Sequence, residues 1–224
     1  MAGTPVRILL ARHGETVFNV EGRWQGQSDS PLTERGLAQA RELGRALASD
    51  PIAAVYSSDL GRAMHTAREV ARPHGLEVIP EPRLREIDVG GFTDRSRADI
   101  EAAYPGALAA WAEAPAQMRI PGAETIAEAQ ARALAFFAER MPRHTDQSSE
   151  QTVVVIGHGA IGQVILVAAL GLSIDDLWLK QRIDNCQISR LEWTAEDGLK
   201  LLELCDVRHL EEVGSLRVWR TDAA

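Results

Sequence analysis

Polar side chains that could carry out group-transfer chemistry follow four apolar segments of the sequence. They are two histidines, two arginines and one glutamate: Arg12, His13, Arg62, Glu86 and His158. Arginine presents a rigid fork of N–H donors that matches the oxygens of a phosphate or carboxylate group. Histidine can act at neutral pH as a nucleophile, an acid or a base, and a carboxyl group beside a bound anion can act as a general acid. The combination favours phosphoryl transfer.

Each of these residues also has a plain structural explanation when it is taken alone. A single histidine after a strand is more often a hydrogen-bonded structural residue, Arg62 alone would be a charge on a helix surface, and Glu86 alone could belong to a salt bridge. Two His-Gly pairs, each directly after an apolar run, favour the functional interpretation. The other candidates are assigned to structure or surface, with His209 left undecided: His65, His74, Arg85, His144 and Cys186.

The histidines and cysteines do not show the spacing of a metal site. No His-x-x-x-His, His-x-His or Cys-x-x-Cys pair occurs, and Cys186 and Cys205 stand apart from each other. Ligands distant in sequence could still converge, but Arg12 and Arg62 would repel a cation placed beside them. The sequence therefore favours a site without a metal or another cofactor.

Short apolar segments alternate with amphipathic ones along the chain, which predicts strands alternating with helices. The predicted strands are residues 6–11, 53–58 and 152–157, a weaker candidate at 76–82, and a hairpin around Asp197-Gly198. The predicted helices are residues 32–49, 59–71, 124–141 and 160–171. Thr33 and Asp59 are the expected N-caps of the first two. This order predicts a single-domain, three-layer α/β/α fold with a mostly parallel sheet.

The predicted site lies at one edge of this sheet, because ligands of doubly wound sheets bind outside the carboxyl ends of the strands. Residues 88–123 show little periodicity and contain several glycines and prolines. We interpret them as an insertion over one edge of the sheet and a candidate lid. The expected domain organisation is therefore one domain over residues 1–224.

Composition and charge exclude several broad classes of protein. The 224 residues carry a formal net charge of −8, so no broad phosphate-neutralising face for nucleic acid is expected. The apolar runs are shorter than the roughly 18 residues of a membrane span. The opening "MAGTPVRILLA" indicates a first strand and not a signal peptide, because it lacks a cationic lead. We expect a cytoplasmic protein that binds neither nucleic acid nor membrane.

Six segments resemble, in order, the motifs of the histidine phosphatase superfamily, also called the phosphoglycerate mutase-like superfamily. They are "LLARHGETVFN", "GRWQGQSDSPLTERGLAQA", "VYSSDLGRAMHTA", "LREIDVGGF", "VVVIGHGAIGQVIL" and "DNCQISRLEW", which together extend from about residue 6 to residue 193. The three-residue Arg-His-Gly signature alone would say little. The ordered set is specific, and it is most similar to the phosphatase branch.

The resemblance implies a role for each of the matching residues. His13 would be the nucleophile that takes the phosphoryl group, and Glu86 would protonate the leaving alkoxide and then accept a proton from water. The phosphate oxygens would be bound by Arg12, Arg62 and His158. The positions that would line the substrate pocket are Asn19, Gln25, Gly26 and Gly159.

The resemblance also implies the activity and its alternatives. We expect a metal-independent phosphomonoesterase that hydrolyses small phosphorylated metabolites through a phosphohistidine. A cofactor-dependent phosphoglycerate mutase is an alternative, although the segment between Glu86 and His158 lacks a long basic insertion; a catalytically silent binding protein is another. Thr93-Asp94 replaces the Glu-Gly pair usual in the phosphatase branch, which changes the start of the candidate lid. The segment "GSLRVWR" at 214–220 could form a homodimer or pack on its own chain.

Overall fold

A twisted sheet forms the centre of the computed structural model, which describes residues 4–145, 150–177 and 182–214. The strands in these ranges are β1 (Val6–Arg12), β2 (Ile52–Ser57), β3 (Val78–Pro80), β4 (Gln151–Gly157), β5 (Ile188–Thr194) and β6 (Gly198–Asp206). Their order across the sheet is β3-β2-β4-β1-β5-β6. The first four are parallel, and β5 and β6 add an antiparallel hairpin at one side. The predicted mostly parallel sheet is confirmed.

Helices cover both faces of the sheet. They are α1 (Val17–Glu21), α2 (Glu34–Ala46), α3 (Gly61–Ala71), α4 (Arg97–Ala103), α5 (Ala107–Glu113), α6 (Ile126–Arg140), α7 (Gly159–Ala169) and α8 (Ile174–Leu177). None of those in the described ranges combines the length and apolar character needed to cross a bilayer.

The side chains of each central strand point alternately to two separate apolar clusters. Ile8 of β1 belongs to the cluster that includes Phe136 of α6 and Ile161 of α7. Leu9, the next residue, belongs to the cluster that includes Leu43 of α2 and Ala67 of α3. Because successive strand residues face opposite sides, continuous apolar runs bury both faces of the sheet. This confirms the three-layer arrangement.

One of the two predicted helix caps is confirmed and the other is wrong. The Thr33 side chain accepts a hydrogen bond from the N–H of Gly36, as an N-cap does. Asp59 does not cap α3, whose N-cap is Leu60. Both carboxylate oxygens of Asp59 instead accept from Arg85, at 2.7 and 2.5 Å. A bidentate ion pair is a stronger partner for this carboxylate than one backbone N–H.

Residues 88–123 have more regular structure than their sequence indicates. The two short helices α4 and α5 lie in this range, and Trp111 of α5 is buried in the same cluster as Phe136. Helices of two turns show too few repeats for a clear periodic pattern. A lid role for this segment stays a prediction, and the segment proposed for a homodimer lies outside the described residues except for Gly214.

Candidate active site

The carboxyl ends of three neighbouring strands bring the predicted site residues together. Arg12 is the last residue of β1, His158 directly follows β4, and Arg62 lies in the first turn of α3 after β2. The sheet order places β1, β4 and β2 side by side. Glu86 follows the short strand β3, and its side chain accepts hydrogen bonds from the first turn of α7, which follows β4 at the same edge. Four chain segments distant in sequence thus meet at one place.

The His13 imidazole is held as a neutral ring with one nitrogen available for reaction. Its Nδ1 lies 2.7 Å from the carbonyl oxygen of Gly14, which can only accept, so Nδ1 carries the proton. Its Nε2 therefore has a lone pair, and the Nε–H of Arg62 donates to it at 3.3 Å. Burial first, and then the charges of Arg62 and Arg12, place the pKa of His13 well below its ordinary value. This is the state that a nucleophilic histidine requires.

Arg62 is buried and fixed by three acceptors besides His13. Its Nη1 donates to the carbonyl of Ser28 at 2.6 Å and to the carboxylate of Asp29 at 2.9 Å, and its Nη2 donates to the carbonyl of Gly26 at 2.8 Å. Gly26 has φ of 52°, a left-handed conformation that favours glycine. The backbone of the segment around Gly26 therefore orients the guanidinium.

Arg12 lies beside the first residue of α7. Its Nη1 donates to the carbonyl of Ile183 at 2.7 Å, while its Nε is buried without a protein partner in the described structure. A Cβ atom on Gly159 would lie 3.6 Å from the Arg12 Cζ, so the guanidinium passes close to the backbone there. An unused buried N–H donor at this place suits an anionic ligand.

His158 faces His13 and is supported by a serine. The two imidazole rings lie 5.0 Å apart between centroids. The Ser58 hydroxyl lies 2.8 Å from His158 Nε2, and when it donates, the proton of the neutral ring is on Nδ1. That Nδ1 is buried without a partner among the described residues. Burial and the charge of Arg62 keep the pKa of His158 well below its ordinary value.

The Glu86 carboxylate lies at the amino end of α7. One oxygen accepts from the N–H groups of Ile87 and Ile161, both at 2.9 Å, and the other accepts from the N–H of Ala160 at 3.0 Å. Helix amino ends favour negative groups because several N–H groups there lack helical partners. The charge of Glu86 partly offsets the burial that lowers the pKa of Arg12 and Arg62, so the three groups share one electrostatic site.

A cavity of about 570 Å³ opens on this site. All of the expected pocket positions line it: Asn19, Gln25, Gly26 and Gly159. The Gln25 amide donates to Thr16 Oγ1 at 2.8 Å, and its Oε1 is buried without a partner in the described structure. The cavity is also lined by apolar and aromatic side chains and by further arginines: Phe18, Arg23, Trp24, Val89, Arg97, Trp111 and Arg182.

Asp94, in the Thr93-Asp94 pair that replaces the Glu-Gly pair usual in the phosphatase branch, connects the start of the candidate lid to the cavity wall by hydrogen bonds. Asp94 has φ of 61°, its N–H donates to the carbonyl of Trp24 at 2.7 Å, and its carboxylate accepts from the hydroxyl of Ser28. Ser28 is also the residue whose carbonyl accepts from Arg62. Asp94 therefore supports the segment that carries the acceptors of Arg62.

Two of the histidines outside the site, and Cys186, make contacts that are structural. His144 hydrogen-bonds Tyr56 at 3.0 Å, and His209 hydrogen-bonds the carbonyl of Cys186 at 2.9 Å. Burial raises the pKa of the Cys186 thiol, which makes it unreactive. In the described ranges, no group of three or more His, Cys, Asp or Glu side chains could hold a metal ion.

Comparison with known proteins identifies the family. The model of the histidine phosphatase superfamily (branch 1) matches residues 8–206. The chain belongs to this superfamily. This chain resembles phosphoserine phosphatase 1 of Hydrogenobacter thermophilus, with 35% identity over 77% of this chain and 80% of that protein. It also resembles the probable phosphoglycerate mutase GpmB of Erwinia tasmaniensis, with 33% identity over 92% of this chain and 96% of that protein.

A solved structure agrees with this family assignment. The structure of Bacillus stearothermophilus YhfR superimposes with a TM-score of 0.85 and 31% identity, covering 92% of this chain and 100% of that chain. The fold expected for a histidine phosphatase is therefore confirmed.

Three residues that support the site of this histidine phosphatase were not singled out from the sequence. Ser58 contacts His158, and Asn185 donates from its side-chain amide to the carbonyl of His13 at 2.8 Å. Arg132 of α6 contacts the backbone around Glu86. Ser58 lies within a segment that resembles the family, and so does Asn185, but their spacing alone indicates no contact. Arg132 has no local signal, because it is one of many arginines on amphipathic helices.

Proposed function

We propose that this histidine phosphatase hydrolyses phosphomonoesters through a phosphohistidine formed at His13, without a metal ion. The observation that carries the proposal is the state of the His13 ring. Its Nδ1 proton is held by the Gly14 carbonyl, and its Nε2 lone pair lies 3.3 Å from a guanidinium nitrogen of Arg62. A phosphate oxygen that accepts the Arg62 N–H would release that lone pair close to the phosphorus.

The first step transfers the phosphoryl group from the ester to the enzyme. The Nε2 lone pair of His13 forms a bond to phosphorus, and the bond between phosphorus and the ester oxygen breaks with its electrons on oxygen. Glu86 in its protonated form gives its proton to that oxygen, so an alcohol leaves. Arg12, Arg62 and the Nδ1–H of His158 stabilise the charge on the other phosphoryl oxygens.

The second step returns the enzyme to its starting state. Glu86, now a carboxylate, accepts a proton from a water molecule whose oxygen attacks phosphorus. The P–N bond breaks with its electrons on Nε2, and inorganic phosphate leaves. In other phosphoryl-transfer sites Mg²⁺ neutralises the phosphoryl oxygens. Here the guanidinium groups of Arg62, which is buried, and Arg12, which is partly buried, supply the positive charge, which is why we propose a metal-independent reaction.

Small phosphorylated metabolites are the proposed substrates. The phosphate-binding groups lie beside a cavity of about 570 Å³ with apolar and aromatic walls, so an organic leaving group can lie against Trp24 and Trp111. The similarity to phosphoserine phosphatase 1 supports a phosphomonoester of a small metabolite. We also propose a cytoplasmic location, with which the free buried thiol of Cys186 is consistent.

The test of this proposal is turnover of p-nitrophenyl phosphate with and without a chelator. We expect turnover that the chelator leaves unchanged. No turnover by the wild-type protein would support the silent binding protein instead, and turnover abolished by the chelator would contradict the metal-independent mechanism. An acid-labile, base-stable phosphate on the protein should form in the wild type and not in His13→Ala. If His13→Ala still forms it, another residue is the nucleophile.

Phosphoglycerate mutase activity is a second candidate because of the similarity to the GpmB protein. A mutase must retain a phosphorylated acid in the cavity while the phosphoryl group returns to a second hydroxyl. Six arginines lie between Glu86 and His158, and among the described cavity-lining residues only Arg97 comes from that set. This favours hydrolysis. Incubation with 3-phosphoglycerate and 2,3-bisphosphoglycerate decides the matter, and 2-phosphoglycerate accumulating faster than free phosphate would favour the mutase.

A further inference from the structure

Arg132 of α6 binds the backbone of the segment that carries Glu86. Its Nη1 donates to the carbonyl of Arg83 at 2.7 Å and to the carbonyl of Arg85 at 2.9 Å. Its Nη2 donates to the carbonyl of Glu86 at 3.1 Å. One planar group therefore fixes three carbonyls within four residues of chain.

Glu124 completes this contact from the segment just before α6. Its carboxylate accepts from Nε of Arg132 at 2.9 Å and from Nη2 at 2.6 Å. The same oxygen that accepts from Nη2 also accepts from the N–H of Asp88 at 2.8 Å. With these bonds all five N–H donors of the Arg132 guanidinium are used. The pair holds the chain on both sides of Glu86.

We propose that Arg132 is a positioning residue for Glu86, which holds its backbone so that the carboxyl group reaches the leaving-group oxygen. This rests on the acid role proposed above for Glu86. The side chain of Glu86 is held separately, by N–H groups of α7. Proton transfer requires the carboxyl group to exchange these N–H groups for a substrate oxygen and return. A fixed backbone keeps both positions within reach during this exchange.

A role limited to fold stability is the competing explanation, and the geometry argues against it. The Arg132 side chain is 21% exposed and that of Glu124 is 17% exposed, so much of the ion pair's free energy is offset by desolvation. Apart from the carboxylate of Glu124, the acceptors of Arg132 are the carbonyls of Arg83, Arg85 and Glu86, which lie within four residues of chain. Lysine has three donors on one nitrogen, so it cannot reproduce the five N–H groups on three nitrogens by which Arg132 binds three carbonyls and the Glu124 carboxylate.

The basicity of the leaving group distinguishes a misplaced acid from a loss of activity caused by disruption of the whole active site. An alkyl phosphomonoester releases a strongly basic alkoxide that needs a proton, whereas p-nitrophenolate can leave without one. The value of kcat/KM reports the steps up to and including transfer to His13, so it isolates this effect. Loss of the acid should reduce kcat/KM for alkyl substrates much more than for p-nitrophenyl phosphate.

The experiment compares Arg132→Lys with wild type, Glu86→Gln and Arg190→Lys on both classes of substrate. Arg190 is the matched control, because it is 29% exposed and pairs with Glu203 and Asp206 at the other side of the sheet. We expect Arg132→Lys to lower kcat/KM for an alkyl phosphomonoester by roughly 10- to 100-fold, since misplacement by 1 Å can cost 10²-fold. The same variant should lose less than about threefold on p-nitrophenyl phosphate, and its acid–base pH profile should change. Arg190→Lys should match the wild type on both.

Each outcome separates this inference from the proposed function. If the wild type hydrolyses neither substrate, the proposed function fails; if Glu86→Gln shows no preference between leaving groups, its acid role fails. If Glu86→Gln shows the preference and Arg132→Lys does not, the positioning role is wrong. Glu124→Gln should show the same pattern as Arg132→Lys with a smaller loss of kcat/KM. It is the variant that tests the positioning role if Arg132→Lys does not fold. Failure of both variants to fold would show that the pair acts in folding and would overturn the inference.

Discussion

Replacing Gly26 with alanine should disturb Arg62 without removing any side chain of the site. The Gly26 carbonyl accepts from Arg62 Nη2 at 2.8 Å, and its φ is 52°. An added Cβ would lie 2.7 Å from Cγ2 of Val89 and 3.2 Å from the Val89 nitrogen. The second contact is with backbone, so the Gly26 peptide has to shift. Its carbonyl would then move relative to the guanidinium.

The size of the effect follows from three contributions. A left-handed conformation costs a residue with a side chain about 1–2 kcal/mol. The reduced freedom of the unfolded chain returns about 0.4–1 kcal/mol. The contact with Val89 adds overpacking of about 1–3 kcal/mol. Gly26→Ala should therefore lower the free energy of unfolding by about 1–4.5 kcal/mol, and a displaced Arg62 should lower kcat/KM by about 10- to 100-fold.

Gly75→Ala is the matched control for backbone strain. Gly75 has φ of 64°, and a Cβ there would meet nothing within 4 Å. It lies outside the residues that line the cavity. This variant should lose about 1 kcal/mol of stability and keep its activity. The assays are urea unfolding and kcat/KM for p-nitrophenyl phosphate. If Gly26→Ala keeps full activity while it loses more stability than Gly75→Ala, the Gly26 carbonyl does not position Arg62.

Three further predictions concern a tautomer, a pH dependence and a cap. Ser58→Ala should lower kcat/KM about tenfold, because one hydrogen bond of about 1–1.5 kcal/mol orients the His158 ring; unchanged kinetics would contradict this. The free energy of unfolding should fall as pH drops below about 6.5, because the unfolded chain then binds protons that His13 and His158, with lowered pKa, do not. Urea titrations at several pH values measure this, and His13→Gln should show a shallower slope. Thr33→Ala should cost about 1 kcal/mol in the same titration through loss of its cap, and no loss would show that solvent replaces it.

The strands and the convergence of the site were predictable because local patterns determine them. The apolar run of β1 leads directly to Arg12 and His13, and in a parallel sheet such ends meet at one edge. Contacts that depend on side-chain direction were not predictable. Asp59 directly precedes the helical pattern of α3, yet Arg85, 26 positions away, binds it. A propensity rule describes only neighbours in sequence, and a distant bidentate partner overrides it.

The supporting contacts of Arg132 were missed for a related reason. It lies 46 positions from Glu86 and on an amphipathic helix, where an arginine is normally a solvated charge. Only the structure shows that its planar group faces backbone carbonyls. Roles that depend on backbone acceptors leave no pattern in the sequence, because every residue has a carbonyl.

In the proposed reaction, the two arginines of the site act on both the nucleophile and the substrate. Before substrate binds, burial and the positive charges of Arg62 and Arg12 hold the pKa of His13 well below its ordinary value, so the ring is neutral. A bound phosphomonoester brings about two negative charges, which offset those two guanidinium charges. The electrostatic cost of a positively charged ring would then fall at the proposed step in which the imidazole bonds to phosphorus and gains positive charge. The two arginines that keep the His13 ring neutral in the free enzyme therefore would not oppose the positive charge that the proposed reaction creates on it.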